Sequence, residues 1–396
     1  MERATTTVGL RGRWSWSRAI IATALLAAII GPGIAVTTPG TVKQSGQASS
    51  PTVCRDERFA VNVQKGVQYA LGVLCNPQPC THGDVSCQQP IPDQKPLSPM
   101  PGCPHPAVVN LTLDLYTPVG AEALGPRPGF VATHSGGYAV NNEVGFKGEM
   151  DIACRHFASR GFVAITMVYR LTNKQTGGGL SPANWSIGAA PLPPGWAGGF
   201  RPSPQTIYPA VRDTKAAIRW LRGNAAALNL ATDFVGAGGW SAGASTTVYL
   251  ASQRDADFTY EMSAATDPTF DSLALHLQQP TGVGAGVVWA GNGVVTDTID
   301  AQDKANRYAT TTAPLAMYRG SEDTVMTPWA QAEVQAAFNA SGARCDLFGA
   351  LGVGHSSLFP GGNVTSKNGM AVAPAVPIMN HSYLWMAEAL GLVIQP

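Results

Sequence analysis

The pentapeptide Gly239-Trp240-Ser241-Ala242-Gly243 has the form G-x-S-x-G. It follows the apolar run Phe234 to Gly238 and precedes a helix-like run, Ala242 to Ser252. A strand, a sharp turn and a helix in that order present a serine hydroxyl at a helix N-terminus, clear of its own backbone. The turn leaves no room for a Cβ on either side, which fits glycine at 239 and 243. The pattern alone is weak in a chain with 44 glycines, so its reading as a nucleophile depends on finding partners. A serine that transfers acyl groups needs a base for its proton, a carboxylate to orient the base, and N–H donors for the oxyanion.

The candidate base is His355, in Gly352-Val-Gly-His-Ser-Ser357, just past the last expected strand. Of seven histidines, only His355 and His381 follow both the serine and a plausible acid. His381 opens the expected terminal helix and reads as a packing or capping residue. The candidate acid is Asp323, in Arg319-Gly-Ser-Glu-Asp-Thr-Val325, directly beyond an expected strand. Its neighbour Glu322 has the same chemistry and is not separable from it by chemistry alone; Asp297 and Asp300 are weaker rivals, and a helix N-cap is the structural alternative for Asp323. The glycines of His134-Ser135-Gly136-Gly137 let backbone amides approach a ligand closely. With the Ala242 amide, they are candidates for the oxyanion hole.

These residues need a scaffold, and the hydrophobic pattern supplies one. Strands are expected at 67–74, 108–116, 129–133, 162–168, 234–238, 283–290, 314–318 and 345–351. Helices are expected at 149–159, 209–228, 242–252, 328–340 and 381–392. Strands separated by helical runs imply a mostly parallel sheet covered on both faces, an α/β class.

Composition bounds the rest. Charged residues make up 13% of the 396-residue chain and the net charge is +1, with no basic run suited to nucleic acid. Arg3, Arg11, Arg13 and Arg18 precede the apolar run Ala19 to Ile30, which is short for a membrane span of ~20 residues. It reads as a secretory signal peptide, with an uncleaved signal anchor as the alternative, and no other stretch would span a membrane. Five of the seven cysteines, Cys54, Cys75, Cys80, Cys87 and Cys103, crowd one region without C-x-x-C pairs. Exported disulfides are expected there rather than zinc, and the odd number leaves about one free thiol. Five N-x-S/T sequons start at Asn110, Asn184, Asn339, Asn363 and Asn380.

The expected organisation is a signal peptide over 1–35, a flexible linker over 36–53, a Cys- and Pro-rich arm over 54–106 packed on the catalytic domain, and that domain over 107–396. The long Gly- and Pro-rich stretch from Thr172 to Ile207 leaves the C-terminal end of a strand, where open α/β sheets bind ligands. Its Trp185, Trp196 and Phe200 are expected to fold over the serine, and Trp185, Trp196 and Trp240 to meet substrate.

The chain resembles the α/β-hydrolase superfamily, and most of all its hormone-sensitive-lipase and feruloyl/acetyl-esterase-like carboxylesterases. The resemblance runs from about Leu113 to His355. It rests on Leu113-Asp-Leu-Tyr-Thr-Pro118, His134-Ser-Gly-Gly137, Phe157-Ala-Ser-Arg-Gly-Phe162 through Tyr169-Arg170, and the helix carrying Tyr208-Pro209, Asp213, Ala217 and Trp220-Leu221. The G-x-S-x-G motif, Gly320 to Asp323 and His355 complete it. Ser135 stands where the family has glycine. The resemblance implies an α/β-hydrolase fold, Ser241 as nucleophile, Asp323 as acid, His355 as base, and Gly136, Gly137 and Ala242 as oxyanion donors. It implies cleavage of small or polymer-borne carboxylic esters without metal or cofactor. A hydrolase-fold binding protein without activity, and a serine peptidase of the same fold, are the alternatives.

Overall fold

A computed structural model describes residues 49–75, 106–138, 146–170, 204–255, 257, 276–303 and 306–396. Strands β2 (Ala60–Cys75), β3 (Pro106–Val119), β4 (Arg127–Thr133), β5 (Val163–Met167), β6 (Leu230–Trp240), β7 (Ala285–Trp289), β8 (Leu315–Gly320), β9 (Cys345–Ala350), β10 (Asn363–Lys367) and β11 (Met370–Pro377) form one sheet. Their spatial order is β11-β10-β9-β8-β7-β6-β4-β5-β3-β2. The six central strands, β5 through β9 by way of β4, pair in parallel, while β2, β3, β10 and β11 join antiparallel at the two flanks.

The parallel strands are apolar along their length because helices cover both faces. Successive side chains point to opposite faces, so each strand feeds two cores. Phe130, Ala132, Phe162, Ala164 and Trp289 pack with α1 (Phe146–Ala158) and α8 (Ile378–Ala389). On the other face, Val131, Val163 and Ile165 pack with α2 (Pro204–Gly223), the one-turn α3 (Ala225–Leu228) and α5 (Val294–Asp303). Val288 and Leu315 pack there with α4 (Ala242–Leu250) and α6 (Pro328–Ser341).

The domain boundaries drawn from sequence need correction. β1 (Thr52–Cys54) pairs in parallel with β12 (Val393–Gln395), and β2 runs antiparallel to β3 along nearly its whole length. Residues 52–75 are therefore part of the catalytic fold, which begins ahead of residue 107. Thr52 and Val53 are strand, not linker. β3 also continues through Pro118, opposite Val61, beyond the end expected at 116. The hairpin β10–β11 and helix α5 were not expected. The expected signal peptide, the cysteines at 80, 87 and 103, and Trp185, Trp196 and Phe200 lie outside the described residues. Cys54 is a buried free thiol, as are Cys154 and Cys345, so Cys54 is not one of the expected disulfide partners. Among the described residues, no helix is long and apolar enough to cross a membrane.

Candidate active site

Ser241 sits between β6 and α4 with φ 55° and ψ −113°. A non-glycine residue with positive φ costs on the order of 1–3 kcal/mol and persists only where its surroundings impose it. Here they do. The Ser241 N–H donates to the Trp289 carbonyl at 2.9 Å and its own carbonyl accepts the Ser245 N–H at 3.0 Å. A Cβ on Gly239 would lie 2.3 Å from the Gly243 carbonyl carbon, and one on Gly243 would lie 1.9 Å from the Thr133 carbonyl oxygen. Both glycines are thus required by backbone against backbone. The second contact also presses the first turn of α4 onto the end of β4, where the glycine-rich loop begins.

His355 opens the short helix α7 (His355–Leu358) after β9. Its Nε2 lies 3.0 Å from Ser241 Oγ and its Nδ1 2.9 Å from Asp323 Oδ2. The Asp323 side chain is fully buried, and its other oxygen accepts the Val325 and Met326 N–H groups, each at 2.8 Å. An ionised carboxylate only accepts hydrogen bonds, so Nδ1 carries the imidazole proton and Nε2 presents a lone pair to the serine hydroxyl. The loops bearing acid and histidine are laced together. Ser321 N–H donates to the Ala350 carbonyl at 2.8 Å, Glu322 N–H to the Val353 carbonyl at 3.0 Å, and Gly352 N–H to Ser321 Oγ at 2.9 Å. Glu322 points to solvent, which separates the two adjacent carboxylates that chemistry alone could not rank.

The rivals are elsewhere. Asp300 pairs with Arg307 at 3.0 Å, and Asp297 lies in α5, where burial raises its pKa to about 6. His381 packs on Phe348 and lies 2.9 Å from the Tyr318 hydroxyl, with burial lowering its pKa. Trp240 is only 3% exposed and its ring centre lies 5.8 Å from that of His355. It backs the imidazole rather than offering an open contact surface for substrate.

The loop from His134 turns through three successive residues of positive φ: Gly136 (111°), Gly137 (60°) and Tyr138 (63°). The His134 ring stacks on Tyr169 at 3.9 Å, and its Nδ1 lies 2.6 Å from the Ser135 carbonyl. The Tyr169 hydroxyl lies 3.1 Å from both the His134 and Ser135 carbonyls. The buried Tyr138 hydroxyl donates to the Ala242 carbonyl at 2.6 Å and lies 3.1 Å from Thr246 Oγ1. Sequence reasoning gave neither tyrosine a role. Tyr169 lies in a segment that carries the resemblance and Tyr138 directly follows the glycine pair, but nothing in their spacing says where a phenol will point. Among the described residues, no cluster of His, Cys, Asp and Glu has the makings of a metal site.

Residues 198–275, which contain the serine motif, match the BD-FAE family. No curated protein sequence matches the chain. A truncated carbohydrate esterase from gut microbiota superposes with a TM-score of 0.50 at 14% identity, covering 86% of this chain and 99% of that one. Thermogutta terrifontis esterase 2 phosphorylated by paraoxon gives 0.47 at 18% identity, covering 70% and 87%. Its propionate-bound form gives 0.46 at 18%, covering 71% and 88%. The fold is that of an α/β hydrolase, and the segment holding the serine matches an esterase family of that fold.

Proposed function

We propose that this chain is an exported serine esterase that cleaves carboxylic esters through an acyl-enzyme on Ser241. The observation that carries the reading is the unbroken line Ser241 Oγ, His355 Nε2, His355 Nδ1 and Asp323 Oδ2, with links of 3.0 and 2.9 Å. Ser241 Oγ attacks the ester carbonyl carbon as its proton passes to Nε2. The carbonyl π bond breaks, and its electrons collect on the oxygen facing the Gly136, Gly137 and Ala242 amides. Asp323 holds the imidazole in the orientation that accepts the proton and stabilises the imidazolium formed. Collapse expels the alcohol, which takes the proton from Nε2. Water then repeats the sequence, with His355 as its base, and releases the acid. No step needs a metal or cofactor.

Export rests on the basic-then-apolar N-terminus and on the cysteine cluster. The substrate is a small or polymer-borne ester; the BD-FAE match and the carbohydrate-esterase neighbour favour ester groups carried on carbohydrate. The test is Ser241→Ala with p-nitrophenyl acetate and a fluorophosphonate probe. Loss of both hydrolysis and labelling, with an unchanged circular dichroism spectrum, is expected. Full hydrolysis by the variant would refute the reading, and a parent enzyme that neither hydrolyses nor labels would favour a binding protein instead.

A further inference from the structure

The glycine-rich loop is held from behind by two buried phenols that take no part in the proton relay. We propose that Tyr169 and Tyr138 are positioning residues for the oxyanion hole: Tyr169 turns the Ser135–Gly136 peptide so that the Gly136 N–H faces the reacting carbonyl, and Tyr138 locks that loop to the helix bearing the Ala242 N–H. The inference rests on the acyl-transfer reading of this site.

The argument for Tyr169 is one of peptide geometry. A trans peptide is planar, and its C=O and N–H point in opposite directions. The Ser135 carbonyl is drawn inward by the Tyr169 hydroxyl at 3.1 Å and by His134 Nδ1 at 2.6 Å. A carbonyl only accepts, so Nδ1 is the protonated nitrogen of that ring and both groups donate. The N–H in the same peptide belongs to Gly136, and it must therefore point away from this core. His134 is itself fixed, its ring lying parallel to that of Tyr169 within 6° at 3.9 Å. One tyrosine thus sets the donor directly and also seats the second group that sets it.

Tyr138 acts at the other end of the loop. Its backbone, at φ 63°, is in a region a bulky side chain avoids. Such an outlier persists when the surroundings over-determine it, and it points to function rather than to chance. What holds it is the phenol, 1% exposed, donating at 2.6 Å to the carbonyl of Ala242. Thr246 Oγ1, one turn further along α4, lies 3.1 Å from the same hydroxyl. The loop amides and the Ala242 amide come from separate elements, β4 and α4, and this bond sets how far apart they sit. The close approach of Gly243 to the Thr133 carbonyl fixes the roots of the two elements; Tyr138 fixes the tip. A 1 Å error in such donors is enough to lose much of their effect.

The test uses Tyr169→Phe and Tyr138→Phe in the full chain, with a pair of substrates, an aryl ester and its thionoester. The oxyanion becomes a thiolate-like sulfur in the thionoester, which accepts hydrogen bonds poorly, so well-placed donors favour the oxygen ester. The ratio of the two kcat/KM values is read on one sample and does not depend on how much of the protein is folded. Each variant is expected to lower kcat for the oxygen ester by about 10-fold or more, below the ~10²–10³ for losing a donor outright. KM and the pH of half-maximal kcat should stay at the parent values, and the oxygen-to-sulfur ratio should fall towards one. An unchanged ratio in both variants, whatever happens to thermal stability, would overturn the proposal and leave the tyrosines as packing. If Tyr169→Phe does not fold, the ratio in Tyr138→Phe decides. Failure of the underlying reading is recognised separately, by activity that survives Ser241→Ala.

Discussion

In the proposed reaction the imidazole of His355 accepts the serine proton only if its own proton sits on Nδ1, and a single side chain decides that. Asp323 is fully buried and spends one oxygen on two backbone N–H groups and the other on Nδ1. Asp323→Asn keeps the shape but offers an NH₂ where an acceptor is needed, favouring the wrong tautomer. We expect kcat for p-nitrophenyl acetate to fall on the order of 10⁴-fold, as for the same change in a serine protease, while Glu322→Gln leaves it within a factor of two or so, because an exposed side chain away from the site alters little. The reverse ranking would move the acid to Glu322. The motif and chain order singled out Ser241 and His355 in the sequence, and the fold brings their side chains within 3.0 Å. Motif and order left two adjacent carboxylates open, because which of two neighbours turns inward is settled by loop closure. Here that closure is the set of bonds between Ser321, Glu322, Ala350, Val353 and Gly352. Tyr138 and Tyr169 were illegible for the same reason: their meaning is in the direction of a hydroxyl.

At the level of elements, the elbow is a contact between backbones, and glycine is its condition. Gly243→Ala would place a methyl 1.9 Å from the Thr133 oxygen and 2.7 Å from that of His134, forcing α4 away from β4. Overpacking of this kind costs roughly 1–3 kcal/mol or more. Loss of activity beyond 10²-fold with a lowered Tm is expected, since separating donors by 1 Å costs rates of that size. Gly361→Ala, where a Cβ meets nothing within 4 Å, should match the parent in both, and a harmless Gly243→Ala would refute the tight-turn argument. Helix α1 carries a different liability. Glu149, in its first turn, has its pKa raised to about 7 by burial, and its Oε2 takes no hydrogen bond from any described residue. The unfolded chain loses this proton near pH 4.5 and the folded one near pH 7. Between those values the folded state binds more protons, so its stability falls as pH rises through that window. Glu149→Gln should leave Tm unchanged below pH 4.5 and raise it progressively up to pH 7; a pH-independent difference would mean that Glu149 ionises freely in the fold. The central strands and long helices were legible because burial on both faces leaves continuous apolar runs. The β10–β11 hairpin was not, because Met370-Ala-Val-Ala-Pro-Ala-Val-Pro377 lies mostly exposed on the sheet edge, has no polar residue to alternate with its apolar ones, and carries two prolines that argue against a strand.

At the scale of the molecule, the two ends of the described chain close on each other. β1 pairs with β12, and the Tyr383 hydroxyl donates to the Cys54 carbonyl, so the segment that seemed to belong to an N-terminal arm is stitched into the body. Cys54 was misplaced in sequence because it sits near four other cysteines along the chain, whereas its neighbours in space are Tyr383 and the Arg160 carbonyl that accepts its N–H at 2.9 Å. Proximity in sequence is a poor guide to pairing where a strand intervenes, and β2 carries the chain away over Ala60–Cys75. The correction changes which cysteine is left as a thiol, and that can be read by labelling. Cys54, Cys154 and Cys345 are all buried and free, and burial, with Asp346 second, pushes the Cys345 thiol up to about 12. Burial keeps a reagent from all three, so they should be silent to a thiol reagent in the native protein at pH 8. Denaturation without reductant should expose them together. If export has oxidised Cys75, Cys80, Cys87 and Cys103 in pairs, the denatured protein titrates three thiols, and peptide mapping should find the reagent on Cys54, Cys154 and Cys345. Bridges of that kind commonly contribute ~2–4 kcal/mol, so reduction should also lower Tm. Seven free thiols after denaturation, with a Tm indifferent to reductant, would remove the cysteine argument for export and leave it resting on the N-terminal segment alone. A reagent found on one of Cys75, Cys80, Cys87 and Cys103 in place of Cys54 would mean that Cys54 is bridged, contrary to its place against Tyr383.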